Sequence, residues 1–137
     1  MRGKAMIGGF LLAAASMNAS AVVKYTAPVA VNAPDAGITR TVWCVAQNLN
    51  RRARNAVSVA IQAADGSVIQ QISGSVPPNT ARWLAGASGG SGLVFCRFDL
   101  QGNSSRSRGY ITVQDQVKPT LAGQFTTPYT VMTIEAK

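Results

Sequence analysis

Cys44 and Cys96 each lie in a run of strand-like alternation, and both follow an N-terminal segment with the layout of an export signal. That pairing constrains the fold more than any other feature. In an oxidising compartment two strand cysteines can join distant parts of one chain. Val42, Cys44 and Ala46 alternate with Trp43, Val45 and Gln47. Val94, Cys96, Phe98 and Leu100 likewise share one face of a second run. Both sulfurs therefore point toward apolar neighbours, and a disulfide between them is expected. Closing so long a loop stabilises by about 4 kcal/mol in the chain-entropy model. The alternative is two buried free thiols that merely pack.

The export signal is expected over residues 1–21. Arg2 and Lys4 open it, an uncharged apolar stretch from Ala5 to Ser16 follows, and Ala19-Ser20-Ala21 supplies small residues for cleavage after Ala21. The apolar stretch is too short for a membrane-spanning helix, which needs about 20 residues. No transmembrane span is expected in the remainder, 22–137, which is one domain's worth of chain. The expected compartment is periplasmic or extracellular.

Within 22–137 the sequence predicts an all-β fold. Val22–Val31 reads as an edge strand broken by Pro28. Ile38–Leu49, Ala56–Ala63, Ser67–Ile72, Ala81–Ala85, Leu93–Leu100, Tyr110–Gln114 and Val131–Glu135 follow as strands. Asp65-Gly66 signals a two-residue hairpin. Residues 86–92, with four glycines, read as a flexible loop, and 115–129 as a long loop. Seven or eight short strands without a helical period suggest a single immunoglobulin-like β-sandwich.

The chain carries 13 Lys+Arg against 5 Asp+Glu, a formal net charge of +8, and no histidine. Acid–base catalysis wants a histidine or paired carboxylates, and the aspartates are widely spaced. A serine triad lacks its base. No metal ligand set forms from two cysteines without histidine, and no cofactor motif appears. An enzyme is not expected. The positive balance favours an anionic partner such as an envelope component or polysaccharide. Export argues against nucleic acid.

Two arginine clusters are the candidate anion-binding residues: Arg51, Arg52 and Arg54, then Arg106 and Arg108. Both fall in predicted connections, so they form a patch only if those connections meet at one end. Trp83 is the candidate ligand-stacking residue. Trp43 lies on the strand face opposite Cys44 and is left either to pack elsewhere or to be exposed.

The order Cys44-x-x-x-Asn48, Val57-Ser-Val-Ala-Ile61 before Asp65-Gly66, Val76-Pro-Pro-Asn79, Phe95-Cys96-Arg97-Phe98 and Arg108-Gly-Tyr-Ile111 resembles small exported bacterial β-sandwich proteins without an assigned activity. It covers residues 38–114. The resemblance implies a fold and a compartment. The expected role is non-enzymatic, structural or binding, in the bacterial envelope. The alternatives are a carbohydrate- or anionic-ligand-binding module, and a fibre subunit pairing through Val22–Val31 or Val131–Glu135.

Overall fold

The computed structural model describes residues 21–88, 90–101 and 104–137; residues 1–20 of the expected signal lie outside the described residues. Nine strands run in chain order: β1 Val22–Tyr25, β2 Val29–Ala30, β3 Ile38–Asn48, β4 Asn55–Ala63, β5 Val68–Val76, β6 Thr80–Ser88, β7 Leu93–Leu100, β8 Ser107–Val117 and β9 Tyr129–Glu135. A short 3-10 turn, Ser104–Arg106, precedes β8. Sheet A has the order β1-β7-β4-β5, with β2 also beside β7; sheet B has the order β6-β3-β8-β9. Every strand pair is antiparallel. The fold is a two-sheet β-sandwich.

Alternation predicts which side chains meet. Val42, Cys44 and Ala46 of β3 face Val57, Val59 and Ile61 of β4 and Val94, Cys96, Phe98 and Leu100 of β7 across one buried core, which Ile111 and Val113 of β8 complete. Cys44 and Cys96 are disulfide-bonded, with Cα atoms 5.7 Å apart. The bond joins sheet B to sheet A through the core. The strand order differs from the immunoglobulin arrangement, where the strand following the second cysteine strand stays in its sheet. Here β8 crosses to sheet B, pairs with β3 over eleven residues, and leaves the place beside β7 to β1.

Local chemistry explains where the strands differ from expectation. The expected two-residue hairpin is a longer turn: Gly66 N donates to Ala63 O at 2.9 Å, and Gly66 sits at φ 86°. Glycine takes that left-handed conformation without steric cost. The Asp65 carboxylate accepts from Ser67 N and Oγ, which holds its pKa below the usual carboxylate range. β6 runs on through Gly86 to Ser88, well into the segment expected as a loop, because its ladder to β3 continues to Thr41. β8 likewise extends past Gln114 to Val117.

β6 also carries a bulge. Cys44 pairs with Ala85 and Val45 with Trp83, so Leu84 is an extra residue with no partner on β3. Pro28 divides the expected first strand into β1 and β2. Beyond them, Tyr25 and Lys137 exchange two backbone hydrogen bonds of 3.2 and 3.0 Å. That exchange ties the sheet A edge at β1 to the chain just after β9, the edge of sheet B.

The far end of β3 is closed by an ion pair. Arg40 Nε and Nη2 donate to the two carboxylate oxygens of Asp115 at 2.7 Å each. Asp115 is buried and Arg40 nearly so, with side chains 3% and 17% exposed. The guanidinium holds the Asp115 carboxyl below its ordinary range, against the opposing effect of burial.

Candidate ligand-binding surface

Three connections meet at one end of the sandwich: 49–54 after β3, 77–79 after β5, and the turn Ser104–Arg106 before β8. Buried asparagines hold them. Asn48, fully buried, donates through Nδ2 to Ala53 O at 2.8 Å and Val76 O at 2.9 Å. Its Oδ1 accepts from Asn50 N at 2.9 Å and Asn55 Nδ2 at 3.0 Å. Asn55 Nδ2 also reaches Ser107 Oγ. Leu49 N donates to Arg106 O at 2.7 Å, and Asn79 N to Asn50 O at 3.0 Å. A buried polar network of this kind rigidifies its surroundings when every member is satisfied.

On this mount sit the arginines. Arg51, Arg52, Arg54 and Arg106 are exposed at one rim, and Arg108 extends it along β8. The two clusters thus meet. Apart from Arg108 they lack a carboxylate partner, as the five Asp and Glu side chains show. Asp115 binds Arg40, Asp99 binds Arg97 at 3.2 Å, and Glu135 binds Arg108 at 3.2 Å. Asp35 and Asp65 accept from turn residues at the opposite end. Arg51, Arg52, Arg54 and Arg106 therefore have no carboxylate partner among the described residues. Arg54 reaches Ser75 Oγ at 3.4 Å.

The outer face of sheet B leads up to this rim. Register places Trp83, Val45 and Tyr110 in one row and Gly86, Trp43 and Thr112 in the next. The Trp43 ring lies against Gly86: a Cβ there would come within 2.7 Å of Trp43 Cε3. Trp83 meets Trp43 edge to face, with centroids 5.8 Å apart, and stays 50% exposed. Tyr110 Oη donates to Gln47 Oε1 at 3.2 Å. A shallow groove of about 290 Å³ runs beside Trp83, walled by Val45 and Tyr110 and by Thr112, Thr130 and Thr133. Arg108 follows Tyr110 on the same face of β8, across from Gln47.

The sequence alone singles out the arginines and Trp83 as candidates. It leaves the fate of Trp43 open and misses Tyr110 and the threonines. Strand parity alone could have placed Tyr110 and Thr112 on one face. Residues 86–88 and 90–92 lie away from the arginine rim, at the end of β6 and just before β7.

A cleft of about 390 Å³ opens at the opposite end, lined by Asn32, Asp35, Arg40 and Lys118 among others. Its charges are already engaged: Arg40 with Asp115, Asp35 with Gly37 N, and Lys118 Nζ with Ala36 O. The described residues hold no cluster of three or more metal-ligating side chains, and no helix among them is long and apolar enough to cross a membrane. Comparison with protein-family models, curated proteins and solved structures finds no match.

Proposed function

We propose that this chain is an exported, non-enzymatic binding module that holds a polysaccharide of the bacterial envelope against the outer face of sheet B. The observation that carries this reading is the Trp43–Trp83 pair beside a groove flanked by hydroxyls. A sugar ring presents an apolar face of C–H groups with a slight positive edge. It stacks on the negative face of an indole, and its hydroxyls need donors and acceptors at the margin. Trp83 supplies the exposed indole. Thr112, Thr130, Thr133 and Gln47 supply the margin. Binding sites of this kind combine aromatic surface with a few placed polar groups.

Trp43 has a supporting role. Its ring, lodged on Gly86, fixes Trp83 at right angles and leaves little rotamer freedom to lose on binding. The test is affinity gel electrophoresis of Trp83→Ala against a panel of neutral and acidic polysaccharides, with tryptophan emission as a second readout. At least one polymer retards the wild type and shifts its emission, and the variant loses both effects. Retardation of the variant equal to that of the wild type rejects the reading.

A further inference from the structure

The aromatic face ends at the arginine rim, and the two form one surface. Arg108 stands beyond Tyr110 on β8, and Gln47 beyond Val45 on β3. From Trp43 to Asn48 the strand advances about 17 Å, at the rise of extended chain. The loop carrying Arg51, Arg52 and Arg54 begins there. A flexible polymer long enough to stack on Trp83 and continue in that direction reaches the arginines.

We propose that the polysaccharide is acidic, its carboxylates or sulfates meeting Arg51, Arg52, Arg54 and Arg106 while its ring faces lie on Trp83. This rests on the reading of the aromatic face given above. Three observations support it. The first is the missing counter-charge: among the described residues the Asp and Glu side chains bind Arg40, Arg97, Arg108 and turn residues, and none binds Arg51, Arg52, Arg54 or Arg106. Like charges gathered at one rim repel each other, and a bound polyanion relieves that repulsion.

The second is the mount. A loop serving only solubility has no need of a buried base. This one is fastened through Asn48, Asn50 and Asn55, with Arg106 O tied to Leu49 N. The guanidinium groups project from a fixed frame, so less order is lost on binding. The third is chemistry. Guanidinium is planar and matches a carboxylate or sulfate with two parallel donors. All the candidate cations of this rim are arginine. The sheet face itself carries only one ion pair, Arg108 with Glu135. Charge is therefore read at the rim and ring shape on the face.

The experiment compares each of three acidic polysaccharides, polygalacturonate, hyaluronate and alginate, with its own methyl ester. The ester keeps the sugar backbone and removes the charge. Wild type, Arg51→Glu/Arg52→Glu/Arg54→Glu and Trp83→Ala are measured by affinity electrophoresis at low and high salt, with circular dichroism confirming the fold. At low salt the wild type binds at least one acid form tenfold or more tighter than its ester, and high salt removes the difference. The triple variant binds acid and ester equally, at the wild-type level for the ester. Equal binding of every acid and ester by the wild type overturns the inference, as does a triple variant that keeps the tenfold preference. A wild type that binds a short DNA duplex as tightly as the polysaccharides, unaffected by Trp83→Ala, also overturns it, since the rim then acts as a general polyanion site. Ester binding tells the two proposals apart: it depends on Trp83 if the aromatic face takes sugar, whatever the arginines do.

Discussion

The two sheets share one core but present different outer faces. On sheet A the polar groups are partners to one another. Arg97 pairs with Asp99, Ser73 Oγ meets Ser58 Oγ at 3.1 Å, and Gln71 Nε2 donates to Ser58 Oγ at 3.3 Å. Its aromatic contact, Tyr25 with Phe95, sits toward the β1 edge. On sheet B two tryptophans and Tyr110 occupy the middle of the face, and the threonines beside them are weakly engaged, Thr112 and Thr133 at 3.4 Å. A ligand landing on sheet A must break existing bonds. One landing on sheet B finds apolar surface and spare hydroxyls. Since both faces rest on the same core, the contrast lies in the surface residues and not in the fold.

The most severe way to break the comparison is to remove the clamp beneath both faces. Cys44→Ala/Cys96→Ala loses about 4 kcal/mol, by the loop-closure argument. Thermal or urea unfolding measures it. Face-specific behaviour of the kind just described predicts that whatever binding survives in the folded fraction is unchanged.

A second test sets one ion pair against another. Arg40–Asp115 closes the core at the start of β3, whereas Arg97–Asp99 lies on the face of sheet A. Removing a buried partner strands the other charge, so Asp115→Ala costs about 3 kcal/mol. Asp99→Ala costs about 0.5 kcal/mol, as exposed pairs do. The Asp115 contribution also has a pH signature. Its folded pKa is depressed, chiefly by the hydrogen bonds from Arg40. The stability it gives is fully present above the unfolded aspartate value of about 3.9 and is lost as pH falls through the lower folded value. Unfolding curves of wild type and Asp115→Ala therefore converge only in strong acid; a difference that stays constant down to pH 2 contradicts this account.

The third perturbation is confined to sheet B. Gly86→Ala drives a methyl into the Trp43 ring. Overpacking of this kind costs about 1–2 kcal/mol. Trp43 must tilt, Trp83 loses its neighbour, and the emission spectrum shifts. Polysaccharide binding falls with it, although neither indole has been changed. An unaltered spectrum would show that the two rings are set independently.

Much of this was legible in the sequence, and the limits have physical causes. The disulfide followed from Cys44 and Cys96 lying on apolar strand faces, since parity is a local property. The meeting of Arg51, Arg52 and Arg54 with Arg106 and Arg108 depended on which connections share an end. That is set by the β3–β8 ladder, between segments some sixty residues apart in the chain, and no local pattern encodes it. Asn48 was visible only as part of a spacing. Its burial comes from three loops closing over it. Gly86 read as a loop residue because glycine is common in loops, whereas here it is a strand residue that makes room for a ring. Trp83 had no assignable face, because its side of the sheet is decided by the bulge at Leu84.

That bulge has a consequence for how such a strand can change length. Every residue of β6 except Leu84 is matched to a residue of β3. Deleting Leu84 would leave Ala85 opposite Cys44 and Trp83 opposite Val45, and the ladder would simply become regular. Deleting Ala85 instead would bring Leu84 opposite Cys44, and deleting Gly86 would bring Ala85 opposite Trp43 and remove the room for its ring. Leu84 is thus the position whose loss leaves every existing pair of β6 and its outward indole in place, at the cost of the contact Leu84 makes with the core.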